Sequence, residues 1–394
     1  MHSEARPDWL HLPDYAGHGI VNLMASLAEA CQAPATGYPG LSGNLLNDVS
    51  RANNIVLLVI DGLGYDYLLR RCQGSLLSSY CRARLTSVCP STTTSAIPTF
   101  LTGRPPQQHG FTGWFTYFSE LGSILAVLPF CTRVGGRSID DALLSPAALC
   151  GVAPLFATMQ LRSNLIMPDR IAYSSFNRAF SGNASIIPYA GFRGLQRALR
   201  RVLRGSRERS FSYAYWPDFD SLAHRFGVDS PQVQDHFQLL DSLFADLVAH
   251  LPGSDSLLLV TSDHGFIDTA DTTIDMEAHP ELKELLLVPL CGEPRLAFCY
   301  LHPGREAAFE AYVRENFSRQ IELLPSNLLL QQGWFGRGQL HPQLASRIGQ
   351  YALVMQENWA ITDTVPGERA LQQIGVHGGV SHQEMYVPLI IVEG

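Results

Sequence analysis

Short apolar runs that end in acidic residues recur along the chain and lead into helical patterns. In NNIVLLVIDGLGYDYLLRR, the apolar run Ile55–Ile60 is followed by a glycine-containing turn and a helical pattern, which predicts a buried strand that feeds a helix. The stretches SFSYAYWPDFD and DSLLLVTSDHG repeat this design, and MYVPLIIVEG is a further apolar strand. Strands that alternate with helices are typical of an α/β fold, with a mostly parallel central sheet covered by helices on both faces.

Other segments predict helices, and two segments fit the alternation less well. Helical periodicity marks Gly19–Gln32 and His236–Leu251. We interpret parts of 131–209 and of 267–373 as insertions that form a cap. The first segment includes the basic helical stretch GFRGLQRALRRVLRGSRER, and the second includes a helix near Glu306–Phe317.

Composition excludes several functional classes. Hydrophobic residues make up 46% of the 394 residues and charged residues only 16%, so a large core is expected and disorder is not. The net charge is −8 and the basic residues form no long stripe, which argues against nucleic acid as a partner. Lys283 is the only lysine, so P-loop and Schiff-base chemistry are nearly excluded.

Cysteine usage and hydropathy bear on the compartment. The eight cysteines form no C-x-x-C pair, so a thiolate zinc site is not expected. The first residues, MHSEARPDWLHLPDYAG, contain no apolar stretch of the kind found in signal peptides, and no run reaches the roughly 18 apolar residues of a membrane span. We therefore expect a cytoplasmic protein.

Carboxylate and imidazole side chains gather at the predicted strand ends. An aspartate after a strand is often only a turn or cap residue, and a single histidine in a glycine-rich loop is more often a hydrogen-bonded loop residue than a ligand. The combination is less ordinary, because carboxylates and imidazoles without thiolates suit Zn²⁺, or Mn²⁺ as a harder alternative. The candidates are Asp61, Asp220, His224, Asp263, His264 and His377.

A stretch rich in hydroxyl groups, CPSTTTSAIPTFLTG, precedes another helical pattern. A threonine at the start of a helix is commonly a cap residue. The same hydroxyl becomes a nucleophile if a divalent cation stabilises its alkoxide, with the first amides of the helix adding positive charge. Pro98 must lie in the first turn of such a helix or kink it.

Taken in order, five motifs resemble the alkaline phosphatase superfamily, and most of all its type I phosphodiesterase/nucleotide pyrophosphatase branch. They are VIDGLGYD, PSTTTSAIPTFLTGRPPQQHG, DFDSLAHRFG, TSDHG and HGGVSHQEMYVPL. The resemblance covers most of the chain. It implies a single catalytic domain, 1–394, with an alkaline phosphatase-like core and inserted cap elements.

The resemblance also implies a pair of divalent metal ions, with zinc expected and manganese as the alternative. One ion would be held by Asp220, His224 and His377. The other would be held by Asp61, Asp263, His264 and the oxygen of the nucleophile. Counting from Pro90 and back from Thr102-Gly103 aligns the nucleophile with Thr93, and Thr92 is the close rival.

The substrate is less well defined by the resemblance. Nucleotide pyrophosphatases are expected to carry an asparagine that binds a phosphoryl oxygen shortly after the His-Gly pair, where this chain has Trp114. Trp114 and Arg104 are the candidate substrate-binding residues. We expect a phosphodiesterase/nucleotide pyrophosphatase-like hydrolase of small phosphate esters that acts through a phosphothreonine. The alternatives are a phosphomonoesterase and a metal-binding relative without turnover. The sequence leaves the oligomeric state open.

Overall fold

The computed structural model describes most of the chain, namely residues 7–43, 45–46, 49–139, 144–204, 208–269, 271–368 and 373–394. Within the segments predicted to hold cap insertions, residues 140–143, 205–207, 270 and 369–372 lie outside the described residues. No helix in the described ranges is both long enough and apolar enough to cross a membrane.

Eighteen strands lie in the described residues. In chain order they are β1 (Asn54–Ile60), β2 (Cys81–Thr86), β3 (Phe115–Phe118), β4 (Ser123–Ala126), β5 (Cys131–Thr132), β6 (Arg162–Pro168), β7 (Ser185–Tyr189), β8 (Ser210–Trp216), β9 (Ser256–Thr261), β10 (Ile267–Asp268), β11 (Thr273–Asp275), β12 (Cys291–Glu293), β13 (Leu296–Cys299), β14 (Ile321–Pro325), β15 (Tyr351–Met355), β16 (Ala360–Thr362), β17 (Gly375–Val376) and β18 (Tyr386–Glu393).

The same residues form fifteen α-helices. They are α1 (Ile20–Ala30), α2 (Tyr65–Arg71), α3 (Leu76–Ser79), α4 (Thr93–Thr102), α5 (Pro106–His109), α6 (Pro146–Cys150), α7 (Asp169–Ala172), α8 (Ser175–Phe180), α9 (Gly191–Leu203), α10 (Asp218–Phe226), α11 (Pro231–Ala249), α12 (Pro280–Lys283), α13 (Glu306–Phe317), α14 (Ser326–Gln331) and α15 (His382–Met385). Helix α11 begins before the predicted His236, because the Ser230 side chain caps it and Pro231 occupies its first turn.

The central sheet has seven strands in the order β2-β18-β9-β1-β8-β6-β7. Strands β9, β1, β8, β6 and β7 are parallel neighbours, and β18 runs antiparallel to both β9 and β2. The predicted α/β fold with a mostly parallel sheet is therefore confirmed.

Strand β1 shows why its sequence is a continuous apolar run. Its alternate residues Ile55, Leu57 and Val59 pack into a core that includes α1 and α4. The intervening Val56, Leu58 and Ile60 pack into a second core, on the opposite face, with residues of α9 and α11. Because successive side chains of a strand point to opposite faces, a sheet covered by helices on both faces buries all of them.

A second seven-stranded sheet, entirely antiparallel, has the order β14-β15-β13-β12-β3-β4-β5. Helix α13 covers one of its faces through Phe309 and Val313, which pack with Ala297 and Leu353. This sheet was not predicted from the sequence. Some of its strands precede β6 in the chain and the others follow β9.

The two irregular segments are distributed over both sheets. Strands β6 and β7 lie inside 131–209 and extend the central sheet, and α9 packs against the core of that sheet. This part of the segment therefore belongs to the central sheet. Strand β5 and all of the described strands within 267–373 belong to the second sheet or to two-stranded ribbons. A role of either segment as a cap stays a prediction.

Candidate metal centre and active site

Three adjacent parallel strands bring most of the candidate residues to one edge of the central sheet. Strand β1 pairs with β8 on one side and with β9 on the other, with Ile60 opposite Trp216 and Val59 opposite Thr261. The carboxyl ends of parallel strands meet at the same edge, which is where α/β sheets place their ligands. Asp61 follows β1, Asp263 and His264 follow β9, and α10 after β8 carries Asp220 and His224.

One group of polar atoms surrounds the Thr93 hydroxyl. Oγ1 of Thr93 donates to Oδ1 of Asp61 at 3.3 Å and lies 3.1 Å from Nε2 of His264. Nε2 of His264 is also 3.3 Å from Oδ1 of Asp61 and 3.4 Å from Oδ2 of Asp263. Asp61, Asp263 and His264 form a candidate metal cluster buried in the described residues.

A second group lies beside the first. Oδ1 of Asp220 is 3.3 Å from Nε2 of His224 and 3.7 Å from Nε2 of His377. The two imidazole nitrogens are 3.2 Å apart. The rings of His264 and His377 stack at a centroid distance of 3.7 Å, so the two groups are contiguous. His377 reaches this edge from the end of β17, which pairs with β10.

The three imidazoles are oriented in the same way. Nδ1 of His224 lies 2.8 Å from the carbonyl oxygen of Gly375, and Nδ1 of His264 lies 3.0 Å from that of Gly265. Nδ1 of His377 lies 3.3 Å from the carbonyl oxygen of Ser91. A proton on each Nδ1 satisfies these carbonyls and leaves each Nε2 with a lone pair facing the centre, the arrangement seen in metal-binding histidines.

The donor set fits divalent cations. Oδ1 of Asp220 and Oδ2 of Asp263 are buried and have no hydrogen-bond donor among the described residues. Buried carboxylate oxygens are costly without a partner, and the nearby Nε2 atoms are acceptors when their Nδ1 atoms carry the protons. Carboxylate oxygens and imidazole nitrogens that converge without donors between them are suited to zinc.

Electrostatics give the same picture. Burial, reinforced by the charge of Asp220, raises the pKa of Asp61 to about 8. Burial and the neighbouring Asp61 raise the pKa of Asp263 well above its ordinary value. Burial lowers the pKa of His224, but the Asp220 carboxylate outweighs it and raises that pKa to about 9. Burial and the imidazoles of His264 and His224 lower the pKa of His377. Burial thus disfavours the ionised forms of Asp61 and Asp263, and a bound cation would stabilise those forms.

Protein groups next to the cluster hold the carboxylates in place. The Tyr215 hydroxyl donates to Oδ2 of Asp61, and Tyr215 is itself on β8, the strand beside β1. The backbone N–H of Gly62 donates to Oδ1 of Asp263 at 3.0 Å. These bonds occupy one oxygen of each carboxylate and leave the other directed toward His264.

The threonine-rich stretch forms the start of α4. Thr92 is the cap residue in extended conformation and Thr93 is the first helical residue. The Thr92 hydroxyl does not cap the helix, because it donates to Oε1 of Glu293 at 2.7 Å. The Thr93 hydroxyl faces the cluster instead. Pro98 lies inside the helix, and Gly103 ends it in the left-handed conformation with φ 67°.

A protein-family comparison supplies the decisive observation. The model of type I phosphodiesterase/nucleotide pyrophosphatase matches residues 55–379, which includes every candidate metal ligand. This chain belongs to the type I phosphodiesterase/nucleotide pyrophosphatase family. The match confirms the resemblance found in the motifs and the expectation of a phosphoric ester hydrolase. No curated protein matches the sequence as a relative.

Solved structures share the fold of this family member. Murine ectonucleotide pyrophosphatase/phosphodiesterase 5, as an inactive variant in complex with AMP, has a TM-score of 0.64 at 14% identity, with 85% of this chain and 87% of that chain covered. The human protein gives a TM-score of 0.63 at 15% identity, with 86% and 88% covered. Phosphonoacetate hydrolase from Sinorhizobium meliloti, in complex with phosphonoformate, gives 0.60 at 17% identity, with 86% and 90% covered.

A cavity of about 340 Å³ opens onto the cluster. Its lining includes Thr93, Asp220, His224 and His377. Trp114, one of the two predicted substrate-binding residues, lines it with a side chain that is 38% exposed. The cavity therefore connects the nucleophile candidate with the position where the family is expected to carry asparagine.

Arg104, the other predicted substrate-binding residue, is not brought to the cavity. It follows the C-terminal end of α4, whose ten residues span roughly 15 Å at 1.5 Å per residue. Its guanidinium donates to the carbonyl oxygen of Ala35 at 3.3 Å. Closeness to Thr93 in sequence is misleading here, because a helix carries its two ends apart.

Glu293 was not predicted from the sequence. This residue ends β12 in the second sheet, is 7% exposed and lines the cavity. Oε1 accepts the Thr92 hydroxyl at 2.7 Å and the backbone N–H of Trp114 at 2.6 Å. Burial raises its pKa to about 7. Its only sequence signal is an acidic residue within the otherwise apolar CGEPRLAF, which is too common to single out.

A buried ion pair, also missed, supports the loop that carries His377. Arg295 is 1% exposed and contacts Glu384, which is fully buried, at 3.1 Å. Oε1 of Glu384 accepts the backbone N–H of Gly379 at 2.8 Å, two residues after His377. The Ser91 hydroxyl donates to the carbonyl oxygen of Gly379 at 2.6 Å, which links this loop to the approach to α4.

Proposed function

We propose that this chain is a metal-dependent phosphodiesterase in which Thr93 is the nucleophile and becomes transiently phosphorylated. The observation that carries the proposal is the position of Thr93. Its hydroxyl contacts Asp61 and His264, and the residue also lines the cavity of about 340 Å³. Thr93 is also the first residue of α4, so the free amides of the first helical turn lie beside its oxygen.

In this proposal Asp61, Asp263 and His264 hold one divalent cation, and Asp220, His224 and His377 hold the other. The two cations supply stabilisation of the threonine alkoxide and of the negative charge on the departing oxygen. Zinc is the proposed metal because carboxylate and imidazole ligands suit it, and manganese is the alternative.

The reaction proposed for the chain's own residues has two balanced steps. Oγ1 of Thr93 loses its proton and forms a bond to phosphorus, while the bond from phosphorus to the ester oxygen breaks and the alcohol leaves with a proton. A water molecule then gives up a proton and bonds through its oxygen to phosphorus, the Thr93 Oγ1–phosphorus bond breaks, Oγ1 takes up a proton, and the phosphate product leaves. The N-terminal amides and dipole of α4 favour the phosphoryl negative charge through both steps.

The structural relatives support a small phosphate ester as substrate. AMP is bound by murine ectonucleotide pyrophosphatase/phosphodiesterase 5 and phosphonoformate by the Sinorhizobium meliloti hydrolase. Both ligands are small anions with a phosphorus group, and the cavity of about 340 Å³ beside Thr93 suits a molecule of that class. The cytoplasmic location stays a prediction from the sequence.

A panel of nitrophenyl esters tests the proposal. The protein is stripped with EDTA, reloaded with zinc or manganese, and assayed with bis(p-nitrophenyl) phosphate, a nucleoside 5′-(p-nitrophenyl) phosphate and p-nitrophenyl phosphate. We expect metal-dependent hydrolysis of the two diesters above that of the monoester. Preference for the monoester would establish the phosphomonoesterase alternative. A protein that binds its metals and hydrolyses none of the three would be the metal-binding relative.

A further inference from the structure

Glu293 places a carboxylate at the substrate end of the site. It lines the same cavity as Thr93 and His377, although it comes from the second sheet rather than from the edge that carries the metal ligands. It contacts Thr92, the neighbour of the proposed nucleophile, and the backbone of Trp114, at the position where the family is expected to carry an asparagine amide. A carboxylate thus lies against the region where an amide donor would contact a phosphoryl oxygen.

The two oxygens of Glu293 differ in their surroundings. Oε1 accepts both of the hydrogen bonds that the structure gives to this carboxylate, from Thr92 at 2.7 Å and from the Trp114 backbone at 2.6 Å. No donor in the described part of the chain bonds Oε2. Above its raised pKa of about 7 the group is ionised, and Oε2 then contributes negative charge to the cavity, because a carboxylate oxygen accepts hydrogen bonds and donates none.

Arg133 is the only arginine or lysine among the described residues that line the cavity, and it does not offset this charge. Arg133 forms an ion pair with Glu368 at 3.1 Å and donates to the carbonyl oxygen of Leu290 at 2.7 Å. Its guanidinium also lies over the Phe115 ring, 4.1 Å from the centroid. Arg133 is therefore already engaged by neighbouring groups and is not directed to a substrate.

We propose that Glu293 is a specificity-determining residue that favours phosphodiesters by repelling the second negative charge of a phosphomonoester bound at Thr93. This inference rests on the proposed function and deepens it. A phosphodiester carries one negative charge, whereas a phosphomonoester carries between one and a half and two at about neutral pH. Two like charges in a poorly solvated cavity repel more strongly than they do in water, so the carboxylate disfavours the monoester more than the diester.

The variant Glu293→Gln isolates the charge of this residue. Its amide oxygen still accepts the hydrogen bonds from Thr92 and the Trp114 backbone, so the local fold is retained. At the position of Oε2, the charged acceptor oxygen is replaced by the neutral NH₂ group of the amide, which is a donor. Glu293→Asp is the matched control, since it keeps the charge. Glu322→Gln, on β14 and outside the residues that line the cavity, controls for the loss of a carboxylate elsewhere in the second sheet.

The first measurement compares kcat/KM for p-nitrophenyl phosphate and bis(p-nitrophenyl) phosphate in the zinc-loaded proteins at about pH 8, above the pKa of Glu293. We expect Glu293→Gln to raise the monoester-to-diester ratio by about tenfold, as removal of one nearby charge predicts. Glu293→Asp and Glu322→Gln should not raise it. An unchanged ratio in Glu293→Gln, including an equal loss on both esters, would overturn the proposal and leave Glu293 with a structural role.

The second measurement does not depend on turnover. Calorimetry compares the binding of inorganic phosphate, mainly a dianion at about pH 8, with that of dimethyl phosphate, a monoanion. We expect Glu293→Gln to bind phosphate about tenfold more tightly while its affinity for dimethyl phosphate changes less than about twofold. Equal changes for both anions would contradict the role of Glu293. If the wild type hydrolyses no ester but Glu293→Gln shows this selective gain in phosphate binding, the proposed function alone would be refuted.

Discussion

The hydroxyl oxygen of Thr93 lies 3.1 Å from Nε2 of His264. The adjacent Thr92 hydroxyl is directed away from this cluster and donates to Glu293. Two neighbouring threonines that the sequence could not separate are thus given different partners by the first turn of α4. This difference favours Thr93 over Thr92 as the nucleophile of the proposed reaction.

Replacement of Thr93 by alanine should lower kcat for the diester by about 10³-fold or more, because the attacking oxygen is removed. Thr92→Ala should retain most of the turnover, since only its bond to Glu293 is lost. Single-turnover quenching, followed by detection of phosphothreonine in the wild type, provides the direct measurement. Full activity in Thr93→Ala, or phosphate recovered on Thr92, would reassign the nucleophile.

The two ligand groups should be separable by zinc content. Asp263→Asn and Asp220→Asn should each lose about one equivalent of zinc, because each removes a charged ligand from one of the two proposed sites. Elemental analysis after dialysis against a fixed free-zinc concentration measures the stoichiometry. Asp229→Asn, which breaks only a surface pair with Arg71, serves as the control and should keep the wild-type content. The same loss in all three variants would argue against two specific sites.

We expect the protein to lose stability in acid because of His109, a buried histidine outside the proposed metal sites. It is the last residue of α5, its Nε2 lies 3.1 Å from the carbonyl oxygen of Ser95, and its Nδ1 accepts from the backbone N–H of Phe111. Burial lowers its pKa from 6.5 to about 3. The unfolded chain therefore binds one more proton between these pKa values, so the contribution of His109 is present above pH 6.5 and is lost as the pH falls toward 3.

Urea unfolding in EDTA, from about pH 8 to about pH 4.5, measures this effect. The free energy of unfolding of the wild type should fall relative to that of His109→Gln by about 1.4 kcal/mol per pH unit below the unfolded pKa. The glutamine keeps a donor and an acceptor but does not titrate. Parallel curves for the two proteins over this range would show that His109 is not buried in its neutral form.

Glu384→Ala should destabilise the protein by about 3–5 kcal/mol, because it leaves the buried Arg295 guanidinium without its carboxylate. It should also weaken zinc binding, since Glu384 fixes the loop that follows His377. Denaturant unfolding and zinc titration measure the two effects. Glu322→Ala, on β14, should stay within about 0.5 kcal/mol of the wild type. A comparable loss there would show that the second sheet is generally sensitive to substitution.

The sequence was informative where function follows from local pattern. An apolar run followed by an acidic residue predicts a buried parallel strand and places its side chain at the carboxyl edge of the sheet. This reasoning led to Asp61, Asp220 and Asp263, and the structure brings the three strand ends together. His377 was a candidate on the same pattern, although the strand before it has only two residues, and its grouping with Asp220 and His224 came from the family resemblance.

Polar side chains that bond across strands make a strand hard to predict from the sequence. Strand β6 contains Ser163 and Asn164, which weaken its apolar pattern, and it lies in 131–209, parts of which we interpreted as cap insertions. In the structure the Asn164 amide donates to the Ser212 hydroxyl of β8 at 3.0 Å, so a buried central strand accommodates it. A polar residue satisfied by a partner on the next strand cannot be told from a loop residue until the pairing is known.

The second sheet could not be predicted from the sequence, for a related reason. Strand β12 contacts β3 through Gly292 and Phe115, which are widely separated in the chain. Glu293 is the next residue along β12 and lines the cavity. Short antiparallel strands give weak local signals, and their register depends on which partner they meet.

The second sheet carries Glu293 and none of the proposed metal ligands. In the proposed reaction, the residues that break the ester bond are therefore separate from the residue that selects the substrate. The hairpin formed by β12 and β13 can change its residues while β1, β8 and β9 keep the ligand ends fixed. Relatives with the same motifs and a different residue at this hairpin would then process differently charged molecules with unaltered machinery. Engineering of new activities in this scaffold would begin at Glu293 and leave the ends of β1, β8 and β9 untouched.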